Sequence, residues 1–275
     1  MRTYSTTAGF GAIAALTCVL CAPAFGATPV GRWDFEQNLN PTTGAAPLTA
    51  GVNPVQYEPV TIGGASGFAA RWPQAAENAE QFFTVANPIG ANGGGTLTNQ
   101  YSVVMDVMFP AAGANGGFTS LVQTGTAPHG SDGDLFVRGD GGAGISGDYS
   151  DAAIAARFPY GQWNRVVWTV DTTMPAGTDA SGYRIYLNGQ LQNVVQSPSG
   201  WSVDGRYALG NVFHVFADED GETDAGDIST LMFFNGALSA AEVAALGGPQ
   251  AAVPEPAAIA VLGFAAAGLL VRRRR

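Results

Sequence analysis

An all-β fold, a sandwich or jelly roll, is what the order of residues predicts. Three observations carry that expectation. Short stretches alternate apolar and polar side chains with a period of two. Glycine- and proline-rich stretches separate them, and 38 of the 275 residues are glycine. Finally, Asn188-Gly189 directly follows an alternating run, which is the signature of a two-residue hairpin.

The elements follow in chain order. Strands are expected at 30–35 and 68–72. In 101–109 the alternation places Tyr101, Val103, Met105, Val107 and Phe109 on one face. Further strands are expected at 118–124, 134–138 and 163–170, with Trp33, Trp163 and Trp168 assigned to the core. A strand over 183–187 turns at Asn188-Gly189 and returns at 190–191. Strands at 211–217 and 228–234 complete the set. The stretches 90–95, 110–117, 139–147 and 172–182 read as connections. One helix is predicted: Ser239-Ala-Ala-Glu242 is a capping box, and Gly247-Gly248 closes the helix. Residues 27–248 thus form the domain, and 249–252 read as a linker.

The two ends carry export signals. Residues 1–26 form a secretory leader: Arg2, an apolar stretch over 8–20, then Ala24-Phe25-Gly26 with small residues suited to cleavage before Ala27. The apolar stretch, about 13 residues, is too short to span a bilayer. This end implies the Sec translocon as a partner. Cys18 and Cys21, the only cysteines, lie in the leader, so the domain does not rely on disulfides. At the other end stand Val253, Pro254, Glu255 and Pro256, then an apolar helix over 257–271, then Arg272, Arg273, Arg274 and Arg275. Arginines stay cytoplasmic and hold the preceding chain outside, so the helix anchors the chain in the inner membrane before processing.

This tail, 253–275, resembles the PEP-CTERM sorting signal of Gram-negative bacteria. The resemblance implies recognition by an exosortase, cleavage near the Pro254-Glu255-Pro256 box, and delivery to the cell surface or an extracellular polysaccharide matrix. A second resemblance covers roughly 30–247. Gly31-Arg-Trp-Asp-Phe35, Gln162-Trp-Asn-Arg-Val-Val-Trp168, Tyr183 to Gly189 and Asn235-Gly-Ala-Leu-Ser-Ala-Ala-Glu242 are similar to motifs of LamG-like, concanavalin A-like domains, in the family's order. That resemblance implies a jelly-roll β-sandwich. One departure is that Ile228 is followed by Ser229 and Thr230, where the family usually has an acidic pair.

Charge narrows the function. The chain has no lysine. Five of its 12 basic residues lie in the end segments, which leaves seven against 21 acidic residues, a net near −14 for the domain. Such a surface repels nucleic acid and suits cations and neutral glycans. Without lysine there is no Walker lysine, Schiff base or Ser-Lys pair. Ser66 and Ser146 lie in G-x-S-G strings rather than in a nucleophile elbow. His129 and His214 are the only histidines, too few for a His-rich metal cluster.

The one dense acidic segment runs from Asp218 to Asp227, with six carboxylates in ten residues. Asp218, Asp220, Glu222 and Asp224 are candidate ligands for calcium, which takes several oxygens. Two other readings stand beside it: a solvated acidic turn, or a carboxylate pair for glycoside hydrolysis. Asp132, Asp134 and Asp140 form a weaker calcium candidate. Trp72, Tyr149 and Trp201 are candidates for stacking on sugar rings, with core packing or loop anchoring as the alternative. Together these features predict a non-enzymatic surface or matrix protein that binds glycan. A secreted glycoside hydrolase of the same fold and a ligand-free matrix component are the alternatives.

Overall fold

The computed structural model of the chain describes residues 26–51, 54–72, 83–110, 117–125, 133–145, 148–149, 158–175, 182–192, 200–218 and 222–251. The leader up to residue 25 and the sorting tail from 252 lie outside the described residues, as do Asp132 and Asp220. Among the described residues no helix is long and apolar enough to cross a membrane.

The strands are β1 (Pro29–Trp33), β2 (Thr49–Ala50), β3 (Gln56–Ile62), β4 (Ala65–Trp72), β5 (Phe83–Ala86), β6 (Gln100–Met108), β7 (Phe118–Gln123), β8 (Asp134–Arg138), β9 (Ala143–Ile145), β10 (Asp148–Tyr149), β11 (Asn164–Asp171), β12 (Tyr183–Leu187), β13 (Gln190–Leu191), β14 (Val212–Val215) and β15 (Gly226–Phe234). One helix, α1 (Ala240–Ala245), follows. An eight-stranded sheet runs β13-β12-β11-β6-β15-β4-β3, with β1 also paired to β15. A seven-stranded sheet runs β10-β9-β8-β7-β14-β5-β2. Every named pair is antiparallel.

The alternation of 101–109 is realised in β6. Tyr101, Val103, Met105, Val107 and Phe109 join one core cluster, which also takes Phe83 and Val85 of β5 and Phe213 and Val215 of β14. That cluster fills the space between the sheets; Phe213 and Phe233, from opposite sheets, meet edge to face at 5.1 Å. Trp33 and Trp168 are fully buried in it, but Trp163 is half-exposed just before β11, outside the core.

The other face of β6 points away from the sandwich. There Val104, with Val167, Tyr186, Phe234, Leu238, Val243 and Ala27, forms a second cluster that α1 covers. The helix starts as its capping box dictates: Ser239 accepts from the Glu242 amide, and Glu242 accepts from the Ser239 amide at 2.7 Å. The β12–β13 turn has φ +50° at Asn188 and +81° at Gly189, the left-handed pair a type I′ hairpin requires.

Residues 249–251, part of the segment read as a linker, pack on the sandwich. Ala251 is buried, and the Gln250 amide donates to Asp106 Oδ2 at 3.1 Å.

Candidate functional site

The seven-stranded sheet turns one face to the core, so the residues between its core positions point outward. Cross-strand register aligns them into a row. Thr49 pairs with Thr84, Thr84 with His214, His214 with Gln123, and Gln123 with Asp134. Five consecutive strands, β2, β5, β14, β7 and β8, thus place a polar residue at the same level. Of Asp134 only the backbone position is described. His214 is 8% exposed and Gln123 5%; Thr84 is half-buried, with its hydroxyl 3.4 Å from His214 Nδ1.

A second row lies beside it. Ser120 pairs with Phe136, Phe136 with Gly144, and Gly144 with Tyr149. Phe136 is 6% exposed and meets Phe118 edge to face at 6.0 Å. Gly144 carries no side chain between Phe136 and the Tyr149 position. Ser120 is fully buried, and its hydroxyl has no hydrogen-bond partner among the described residues. Burying a hydroxyl without a partner costs free energy. The face therefore joins buried donors and acceptors to an apolar ring.

The residues singled out for stacking do not form one surface. Trp72 is not a ligand contact: it has no exposed surface. Its ring stacks on Phe216 at 3.7 Å and 8°, and its Nε1 donates to the Asp224 carbonyl at 2.6 Å. The apolar alternation of β4 aims it into the core. Trp201 is half-buried; its Nε1 donates to the Met174 carbonyl, and its ring lies between Tyr183 and Tyr207. It anchors a loop. Of Tyr149 the backbone position is described: it lies in the edge strand β10 of the seven-stranded sheet, paired with Gly144.

The Trp201 loop is pinned by Asp204, which accepts from the Thr96 and Leu97 amides, the Thr96 hydroxyl and the Asn99 side-chain amide at 2.7–2.9 Å. The Asn99 bond, then those from Thr96 and Leu97, hold the Asp204 carboxyl well below the usual carboxylate range. A carboxyl depressed on folding contributes stability that is fully present above its unfolded pKa and lost as pH falls through its folded value. Asp204→Asn is therefore expected to lower Tm at neutral pH. Melts taken down to strongly acidic pH should show the gap to wild type narrowing below about pH 4.

The acidic segment is not a solvated turn in its described part. Asp218 and Asp224 are 4% and 6% exposed. Asp218 Oδ2 accepts from the Glu222 amide at 3.0 Å, and Asp224 Oδ2 from the Thr119 hydroxyl at 2.5 Å. Asp227 pairs with Arg71 at 2.9 Å. Burial, helped by Asp224 and Asp140, pushes the nearby Tyr160 phenol up to about 12, so it stays neutral and donates to the Arg138 carbonyl. Asp140 pairs with Arg138 at 2.9 Å. Among the described residues no three metal-binding side chains converge.

Residues 89–244, more than half of the chain, match a laminin G family described as the concanavalin A-like lectin/glucanases superfamily. Residues 252–275 match the PEP-CTERM protein-sorting motif. No curated protein sequence matches the chain. Similar solved structures include domain 4 of AbnA, a GH43 extracellular arabinanase from Geobacillus stearothermophilus, in complex with arabinotriose. It has 19% identity and a TM-score of 0.54, over 80% of this chain and 98% of that one. The binding domain of Paraclostridial Mosquitocidal Protein 1 aligns at 13% identity and 0.51, over 79% and 51%. The binding domain of Botulinum Neurotoxin DC in complex with SialylT aligns at 11% and 0.51, over 79% and 49%. The chain spans about half the length of these two binding domains.

Proposed function

Because the chain belongs to the concanavalin A-like lectin/glucanases superfamily and ends in a PEP-CTERM protein-sorting motif, we propose that it is an exported surface protein that binds glycan, without turning it over, on the outer face of its seven-stranded sheet. The observation that carries this reading is the row Thr84, His214, Gln123. Sugar hydroxyls both donate and accept, and so do a threonine hydroxyl, a glutamine amide and a neutral imidazole. Held away from water, such groups bind more strongly than they would in solvent. Phe136 adds the apolar ring against which a sugar face packs. Two similar folds were solved with arabinotriose and with SialylT bound, which accords with this use of the sandwich.

The partners that follow are the Sec translocon, an exosortase acting at Val253-Pro254-Glu255-Pro256, and a glycan or exopolysaccharide outside the cell. A glycan-array screen of residues 27–251 tests the reading. At least one class of oligosaccharide should be retained, and His214→Ala and Gln123→Ala should each weaken retention about tenfold, the worth of a hydrogen bond or two. Turnover of a bound polysaccharide would favour the hydrolase alternative.

Calcium at the Asp218–Asp224 turn is a further part of the proposal and rests on the carboxylate-rich sequence. Millimolar calcium, the working range of extracellular sites, should then raise Tm by several degrees over EDTA, as about 2.7 kcal/mol of linkage at a hundredfold excess implies. Equal melts would leave the hydrogen bonds of Asp218 and Asp224 as the whole account of the turn.

A further inference from the structure

The folded domain ends abruptly next to its sorting box. α1 closes at Leu246, and Gly247 takes φ +70°. The Arg165 guanidinium donates from Nη1 to the Leu246 carbonyl at 2.5 Å and grips Asp106 through Nε and Nη2 at 2.7 and 2.6 Å. Asp106 in turn accepts from the Gln250 amide. The β3–β4 turn closes against the same segment: a Cβ on Gly63 would stand 3.3 Å from the Pro249 carbonyl. Ala251 is 3% exposed, and its amide reaches the Ile62 carbonyl at 3.5 Å. Arg165 and Asp106 are themselves 7% and 0% exposed, so the anchor is part of the folded sheet.

Only Ala252 and Val253 separate this docked segment from Pro254. Three Cα steps of extended chain cover about 10 Å, and the six steps to the apolar run about 20 Å. A domain tethered this closely leaves little room for a protease at the membrane.

We propose that Asp106 and Arg165 act as a clamp that holds Leu246–Ala251 on the outer face of the eight-stranded sheet, so that the membrane protease reaches the Pro254-Glu255-Pro256 box only when this segment undocks. The proposal rests on the sorting reading given above and adds the step that limits it. It also fixes orientation. Ala27 is buried under α1, on the same face of the sandwich, and the Gly26 amide donates to Glu242. The first and last described residues, Gly26 and Ala251, lie on that face, and the polar row of His214 and Gln123 lies on the opposite one.

The experiment is a pulse-chase of the full chain in cells that carry the sorting enzyme, with mass spectrometry following loss of the arginine tail. Gln250→Pro deletes the amide that Asp106 holds and leaves the buried ion pair intact. One lost hydrogen bond to a charged group raises the undocked population roughly tenfold, and conversion should accelerate by that factor. Gln250→Ala, which keeps the amide, should convert at the wild-type rate. A six-residue Gly-Ser spacer inserted after Ala251 should also accelerate conversion, without touching the clamp. Gln250→Pro converting no faster than wild type overturns the clamp alone. Retention of Arg275 in every variant overturns the sorting reading, and the clamp with it.

Discussion

Arg165→Ala should cost the domain about 3–5 kcal/mol in denaturant unfolding, the penalty for leaving a buried partner charge uncompensated. The charge left behind is Asp106, which has no exposed surface. Burial already pushes its carboxyl above the ordinary range, against the pull of Arg165, the Gln250 amide and Arg32. That desolvation cost makes the pair an organising device more than a net source of stability. The double change Arg165→Met with Asp106→Leu should therefore cost far less than the two single changes summed, since apolar replacements of buried pairs are often neutral. A double-variant cost equal to that sum would show that the two residues act independently.

Trp72→Ala should be comparably damaging, about 3–5 kcal/mol for a large buried aromatic, or on the order of 10 °C in Tm for a domain of this size. Three contacts are lost at once: the stack on Phe216, the edge-to-face packing on Phe109 and the bond to the Asp224 carbonyl. The ring also depends on a glycine opposite. A Cβ on Gly226 would stand 2.6 Å from Trp72 Cζ2, so Gly226→Ala should destabilise through the same contact. Trp201→Ala, at a half-buried loop anchor, should cost clearly less in the same melts. Equal losses for Trp72 and Trp201 would contradict their placement.

The local chemistry of this fold was legible in its residues. Alternation in 101–109 is local, and so are the Asn188-Gly189 turn and the Ser239–Glu242 box. Each appears in the structure where the pattern puts it. The strands that escaped are those without a local pattern. β3 carries Pro59, which lacks a donor amide and argues against a strand; β3 stands at the end of its sheet, where proline is tolerated. β9 is three residues inside a glycine-rich stretch, and β5 is four. The residue pattern also put Trp163 in the core and left a solvated turn as one reading of the acidic segment. Neither the half-exposure of Trp163 nor the partners of Asp224 follow from their neighbours in the chain, because Thr119 and Trp72, which bind Asp224, come from distant strands.

The candidate site was the least legible part for the same reason. His214, Gln123 and Thr84 are separated by up to 130 residues, and only register across β5, β14 and β7 aligns them. A lone histidine in an apolar strand gives no such signal. The visible clue was that His214 and Gln123 interrupt runs of core residues at outward positions.

Calorimetric titration of the strongest glycan from the array into the purified domain tests the central claim most directly. His214→Ala and Gln123→Ala should each raise Kd about tenfold, measured at a temperature where each variant is folded, while Trp201→Ala leaves Kd unchanged. Wild-type affinity in both His214→Ala and Gln123→Ala would place the ligand elsewhere and contradict the assignment of this face.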